Sequence, residues 1–337
     1  MSSGTAVRTG AQAPARAADQ QIRKHSPLYR RRTRAAWGFA LPFVLLFTAF
    51  TAGPVLMSLA MAVTDLRSRD LRDPFAVEFV GLDNFVAVLQ DPMFRKAAAN
   101  TAYFVLVGVP LTLSLSLGIA VILNAGITRL KTFFRVGYYM PVVTSIVAVA
   151  VVWRFLLHPD QGLVNEVLGW FGVEGPNWLA STTWAMPSMI AMATWRSIGT
   201  LIIIFLAGLQ GVPTSLHEAA ALDGAGAWQR FRFITLPTMR PTLLFGAVIT
   251  GIGYVQFFEE PFVMTQGGPL NSTLSVAFHT YNQFGFGNYG YAAAMSYVLF
   301  LAVVLLTLVQ FRFLGERDTK KKRRRKPAPV ARQEIGR

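Results

Sequence analysis

The sequence predicts an all-α polytopic membrane protein of six transmembrane helices, with a structured cytoplasmic loop between the fourth and the fifth. Three observations carry this. Of the 337 residues, 53% are hydrophobic and only 15% charged, too apolar for one or two water-soluble domains of that length. Six apolar runs reach the ~20 residues a helix needs to cross ~30 Å of hydrocarbon with its backbone groups bonded internally. They are 37–63, 97–127, 136–157, 184–212, 242–264 and 289–311. Lys and Arg are also unevenly spread: the seven segments outside the runs hold 8, 5, 3, 0, 3, 0 and 11 of them in chain order.

Taken in order, residues 1–35 form a basic tail, Ala/Arg/Gln-rich and without apolar periodicity over the first 26, so disorder is expected there. The run 37–63 carries no charge; it is too long, and lies behind too much polar sequence, for a signal peptide. Runs 97–127 and 289–311 are also uncharged, while 136–157 holds only Arg154, 184–212 only Arg196, and 242–264 only Glu259 and Glu260. Because cytoplasmic segments near span ends are enriched in positive charge, an inside N-terminus is favoured, with 25 Lys/Arg inside against 5 outside. The five outside bases lie in 64–96 beside six acids, and the outer loops 159–183 and 265–288 have none. Both termini are then cytoplasmic, with 36–315 as the membrane domain and 316–337 as a second basic tail. The run KKKRRRK at 320–326 reads as an anchor against anionic membrane lipid. Charges between the tails cancel, so the net +15 describes the tails and no nucleic-acid-binding face is expected.

Several chemistries are excluded. With no Cys there is no disulfide framework, thiolate zinc site or thiol nucleophile. His25, His158, His217 and His279 fall in four segments without metal-ligand spacing, so neither metal nor cofactor is expected. The nearest approach to a phosphate-binding loop, from Gly126 to Lys131 and Thr132, lacks the second glycine. No cytoplasmic loop is long enough for a catalytic domain; no catalytic residues are assigned, and the energy for any uphill transport must come from a partner or an ion gradient. No internal repeat is visible, which weakens an inverted-repeat secondary transporter.

The loop 213–241 carries the most information. Ser215 and Glu218 are spaced as a capping box for a short helix 216–222, and the Ala run propagates it. Asp223-Gly224 stops it, because glycine takes the left-handed cap conformation without steric cost. A second short helix, 227–234, places Ala227, Phe231 and Ile234 on one stripe, and Pro237 and Pro241 end it. An amphipathic helix lying on lipid accounts for Trp228 and Phe231, but not for the Glu-Ala-Ala run, the Asp-Gly stop or the prolines.

Glu218-Ala219-Ala220, Asp223-Gly224-Ala225, Phe231, Ile234, Leu236-Pro237 and Pro241 together resemble the EAA loop of permease subunits from bacterial binding-protein-dependent ABC importers. Val80-Gly81-Leu82-Asp83-Asn84-Phe85, Leu206-Ala207-Gly208-Leu209-Gln210 and Thr265-Gln266-Gly267-Gly268-Pro269-Leu270-Asn271-Ser272-Thr273 extend the resemblance to MalF-like permeases of two-permease sugar importers, with a MetI-like transmembrane domain. Gln266 stands where Gly or Lys is commoner in that family. The resemblance implies a MalG-like second permease, two copies of an ABC ATPase that hydrolyse the ATP, and an extracytoplasmic sugar-binding protein. It also implies that the loop couples to the ATPase, through Ser215, Glu218, Ala219, Ala220, Asp223, Gly224, Ala225, Trp228, Arg230, Phe231, Ile234 and Pro237.

A sugar route needs aromatic faces for C–H surfaces and polar groups for hydroxyls. Tyr254, Phe257 and Phe258 with Gln256 and Glu259 on the fifth span, and Trp195 and Arg196 on the fourth, are the candidates, with Arg196 placed where it could pair with Glu259 or Glu260. Helix packing explains the same aromatic cluster. The competing functions are an ion-coupled secondary transporter of a small polar solute, for which Glu259 and Glu260 are the candidate coupling groups, and a passive channel, for which no filter-like sequence is visible.

Overall fold

A computed structural model describes residues 27–72, 77–125 and 131–315. Most of both basic tails, including 320–326, and the end of the expected span 97–127 lie outside the described residues. The regular elements described are helical, apart from one antiparallel bridge between Thr64 and Phe79.

Up to Met61 the chain forms a unit of its own. Helix α1, Pro27–Phe47, continues through a π turn, Thr48–Ala52, into α2, Gly53–Ala62. The π turn has a local cause. Pro54 lacks an N–H and its ring would strike the carbonyl four residues back, at Phe50; widening the turn moves that carbonyl aside, and Gly53 N–H bonds Thr48 instead.

The second unit contains α3 (Asp83–Gln90), α4 (Pro92–Asn124), α5 (Lys131–Val143), α6 (Ile146–Leu156), α7 (Leu163–Trp170) and α8 (Ala185–Gln210). After the loop helices come α12 (Arg240–Val255), α13 (Glu259–Met264), α14 (Val276–Gly285) and α15 (Tyr289–Leu314). Helix α4 packs along α8, and α12 packs on both α4 and α15. Phe104, Val109, Met189, Met192, Tyr254 and Phe257 form one core; Leu201, Ile202, Phe205 and Met239 form another nearer the 213–241 loop. Exposed Phe300, Leu301, Leu305 and Leu308 on α15 leave apolar surface outward, as a helix in lipid does.

Four uninterrupted stretches are long and apolar enough to span a membrane: Arg34–Ala62, Pro92–Asn124, Ala185–Gln210 and Tyr289–Leu314. The other two expected spans are each broken within their length. The run 136–157 is two helices, with Gly137–Val143 and Ile146–Leu156 meeting at 115°. Ser145 is extended (φ −56°, ψ 129°), and the turn lays α6 against α13, where an Arg154 guanidinium nitrogen donates to the Val263 carbonyl at 3.3 Å. The run 242–264 breaks after Val255. Phe258 leaves helical geometry (φ −138°), and Pro261 has no N–H for the Phe257 carbonyl four residues back. Helices α7 and α14 were not expected.

The junction of α4, α14 and α15 is tied by polar groups. Asp91 caps α4, accepting from Met93 N–H at 2.8 Å, and its other oxygen accepts from the Tyr291 hydroxyl at 2.9 Å and lies 3.3 Å from His279 Nε2. Burial alone pushes the Asp91 carboxyl up, but the hydrogen bonds from Met93, Tyr291 and His279, with the His279 charge, outweigh it and hold it below the ordinary range. The loop 265–275 is clasped by α4. Lys96 Nζ donates to the Leu270 carbonyl at 2.6 Å, and Asn100 Nδ2 to the Asn271 and Leu274 carbonyls at 2.8 and 2.9 Å. Within this loop Gln266, Leu270 and Asn271 are at positive φ, conformations that non-glycine residues rarely adopt, and the α4 contacts fall on the last two.

Candidate functional site

Ala193, Arg196, Ser197 and Thr200 recur at i, i+3, i+4 and i+7 near the middle of α8, so they share one face. They line a cleft of about 320 Å3 with Thr250, Gly253 and Tyr254 of α12, and Phe257, Glu259 and Glu260 complete it. The break after Val255 is what turns Phe257 and the two glutamates toward it.

Tyr254 is buried. Its ring lies against α4 at Gly108, where a Cβ would come within 2.8 Å of the ring, so that position has room only for glycine. Thr112 Oγ1 donates to the Gly108 carbonyl at 2.8 Å and therefore accepts from Tyr254 Oη at 2.9 Å and from Thr194 Oγ1 at 3.0 Å. Ser197 Oγ lies 3.4 Å from Tyr254 Oη. This chain of hydroxyls joins α4, α8 and α12 and fixes the phenol at the cleft. Phe257 stacks on Phe104, with centroids 4.0 Å apart and planes 1° from parallel.

Of the expected route residues, Arg196, Tyr254, Phe257 and Glu259 meet in the cleft. Trp195 does not: it is 44% exposed and packs near Trp153. Gln256 is exposed outside the lining, and Phe258 belongs to a separate aromatic group with Phe262, Phe278 and Tyr281. The ion pair that the sequence allowed is not formed. Arg196 forms none with Glu259 or Glu260; Arg196 Nε and Glu260 Oε2 are buried without hydrogen-bond partners. The sequence reading missed Thr112, Thr194, Ser197, Thr200 and Thr250. For Thr194, Ser197 and Thr200 the recurring small and polar residues along apolar α8 were a signal; Thr112 and Thr250, on α4 and α12, had none.

In the loop, α9 spans Thr214–Leu222 with Pro213 as its N-cap and no side-chain cap. The Ser215/Glu218 capping box is therefore not formed: Ser215 lies inside the first turn, and Ser215, Glu218 and Ala219 are exposed. The stop is as expected. Gly224 sits at φ +78°, Gly224 N–H bonds Ala221 at 3.1 Å, and Ala225 N–H bonds Ala220 at 2.9 Å, a Schellman closure beyond Asp223. Next come α10, Ala227–Arg230, a π turn, Phe231–Thr235, and α11, Leu236–Thr238. Pro237 does not end the helix as expected, because the π turn clears the Phe233 carbonyl from its ring just as the earlier one does for Pro54. Ala227–Thr238 then meets α12 at 67°. Ile234 packs on the Phe205 core, while Trp228 is 71% exposed with its ring 5.6 Å from Phe231.

A membrane bundle with a polar cleft between its helices and a compact two-helix loop at one end defines a multi-pass transport permease. Residues 111–315 match the family of binding-protein-dependent transport system inner membrane components, and the chain belongs to that family. It is 36% identical to the lactose transport system permease LacF of Rhizobium radiobacter, over 83% of this chain and 94% of that one. It is 32% identical to the arabinooligosaccharide permease AraP of Halalkalibacterium halodurans, over 81% and 85%, and 30% identical to the trehalose/maltose permease MalF of Thermococcus litoralis, over 84% and 95%. The same fold occurs in a bacterial ABC transporter that imports the acidic polysaccharide alginate, with a TM-score of 0.70 and 24% identity over 86% of this chain and 98% of that one.

Proposed function

We propose that the chain forms, with a MalG-like second permease, the path for a sugar or oligosaccharide delivered by an extracytoplasmic binding protein. Two ABC ATPase subunits drive the cycle by engaging the 213–241 loop. The chain crosses a bacterial plasma membrane six times, the broken runs 136–157 and 242–264 each counting as one crossing, with both termini cytoplasmic; the 25-to-5 distribution of Lys and Arg supports that direction. The permeases named above carry lactose, arabinooligosaccharides and trehalose or maltose, which supports a carbohydrate cargo.

The observation that carries the reading is the cleft: a phenol fixed by Thr112, an aromatic face at Phe257, and a guanidinium and two carboxylates with hydrogen-bonding capacity left over. Sugars are recognised by that mixture of apolar ring face and charged hydrogen-bond partner. Tyr254→Ala is expected to lower sugar uptake well below its effect on membrane abundance or ATPase co-purification. Equal loss of all three would reduce Tyr254 to a packing residue.

A further inference from the structure

At the loop end of the bundle, the last turns of α4 and α8 and both halves of the loop enclose a second cavity of about 400 Å3. Its polar lining is Asn124, Gln210, Thr214, His217, Arg230 and Thr235, without an Asp or Glu. Arg230 is partly buried and its Nε, fully buried, has no hydrogen-bond partner. Nor is its charge met by the loop's own carboxylates. Glu218 and Asp223 are exposed and outside the lining, and the ion pairs among the described residues are Arg69–Asp70 and His279–Asp91.

A guanidinium nitrogen shut off from water without a partner is costly, and the amides and hydroxyls that line the cavity with it add donors of hydrogen bonds. The planar guanidinium fork matches tetrahedral oxyanions two oxygens at a time. We propose that this cavity binds a phosphate-bearing anion, held by Arg230 with Asn124, Gln210 and Thr214 as neutral donors. The volume exceeds that of bare phosphate and suits a phosphomonoester or a phospholipid headgroup. Bound there, the anion braces the loop against the ends of α4 and α8. The site needs the loop's geometry but not its role in coupling, so the two stand or fall separately.

The test uses the full-length chain in phosphatidylcholine nanodiscs, titrated with inorganic phosphate while the thermal midpoint is followed, with a parallel set in phosphatidylglycerol nanodiscs without phosphate. Phosphate is expected to raise the midpoint of the wild type, and Arg230→Gln to weaken the apparent affinity by ~10-fold or more, the loss of a charge-assisted donor. Arg230→Lys should keep part of the response. Arg232→Gln should keep all of it, since Arg232 is exposed beside Phe233 and does not line the cavity. An Arg230-dependent rise in phosphatidylglycerol alone makes the lipid headgroup the occupant and supports the site. Identical behaviour of wild type and Arg230→Gln in both lipids overturns it. Should Arg230→Gln then release the ATPase instead, the guanidinium serves a protein carboxylate and the anion site is refuted.

Discussion

Replacing Gly224 separates backbone conformation from space. A Cβ built there meets nothing within 4 Å, yet φ is +78°, so a substitution is penalised only by the left-handed backbone. That penalty is ~1–2 kcal/mol for an ordinary L-residue, and asparagine largely escapes it. Valine, branched at Cβ, is worse still. A loss of ~1–2 kcal/mol lowers the ratio of closed to open loop roughly 5- to 30-fold, undoing the Ala225–Ala220 and Gly224–Ala221 bonds while leaving the membrane helices alone. Uptake, measured at matched membrane abundance and matched pairing with the second permease, should therefore rank wild type, Gly224→Asn, Gly224→Ala, Gly224→Val, with the last near background. Normal transport by Gly224→Val would make the loop a passive connector. Asparagine failing as badly as valine would replace the conformational argument with a steric one against a partner surface.

Glu218→Lys should weaken ATPase co-purification by charge reversal alone, with helicity of the loop unchanged, because Glu218 makes no cap; a loss of helicity on circular dichroism of the loop peptide would contradict this. Asp91, held below the ordinary carboxylate range, contributes stability that is present above its unfolded value of ~3.9 and is lost as pH falls through the folded one. Asp91→Asn should accordingly flatten the acid limb of a thermal-midpoint profile, and equally steep acid limbs for the wild type and the variant would reject the role. Reporter fusions after Lys326 should read cytoplasmic and fusions near Gly172 external; the opposite reading at either place sinks the topology.

Hydropathy made the long helices legible, since α4, α8 and α15 each carry an unbroken stretch of high hydropathy at least 18 residues long. It was blind to direction. Pro141 and Thr144-Ser145 mark 136–157 as a run that can break, but no local pattern there carries a 115° turn or the docking of α6 on α13, a tertiary contact. The break at 256–258 was signalled by Pro261, whose missing N–H acts four residues upstream, inside a run that otherwise reads as continuous. Pro237 misled in the other direction, since a π turn absorbs a proline that would otherwise stop a helix. In the cleft, large and charged side chains were conspicuous in the sequence, whereas the Thr112 hydroxyl that fixes Tyr254 is 142 residues away from it and belongs to no local pattern.

The clasp between α4 and the 265–275 loop also constrains how the protein is made. Its hydrogen bonds join residues 171 to 174 positions apart, and Tyr291 reaches Asp91 across 200. At a synthesis rate of about 5–20 residues per second, the start of α4 leaves the ribosome roughly 10–40 s before its partners do. Throughout that interval Asp91, Lys96 and Asn100 must stay hydrated at the membrane surface or be held by an insertion factor. A nascent chain released after α12 would expose all three, giving quality-control proteases a chemical mark that separates unfinished from finished molecules.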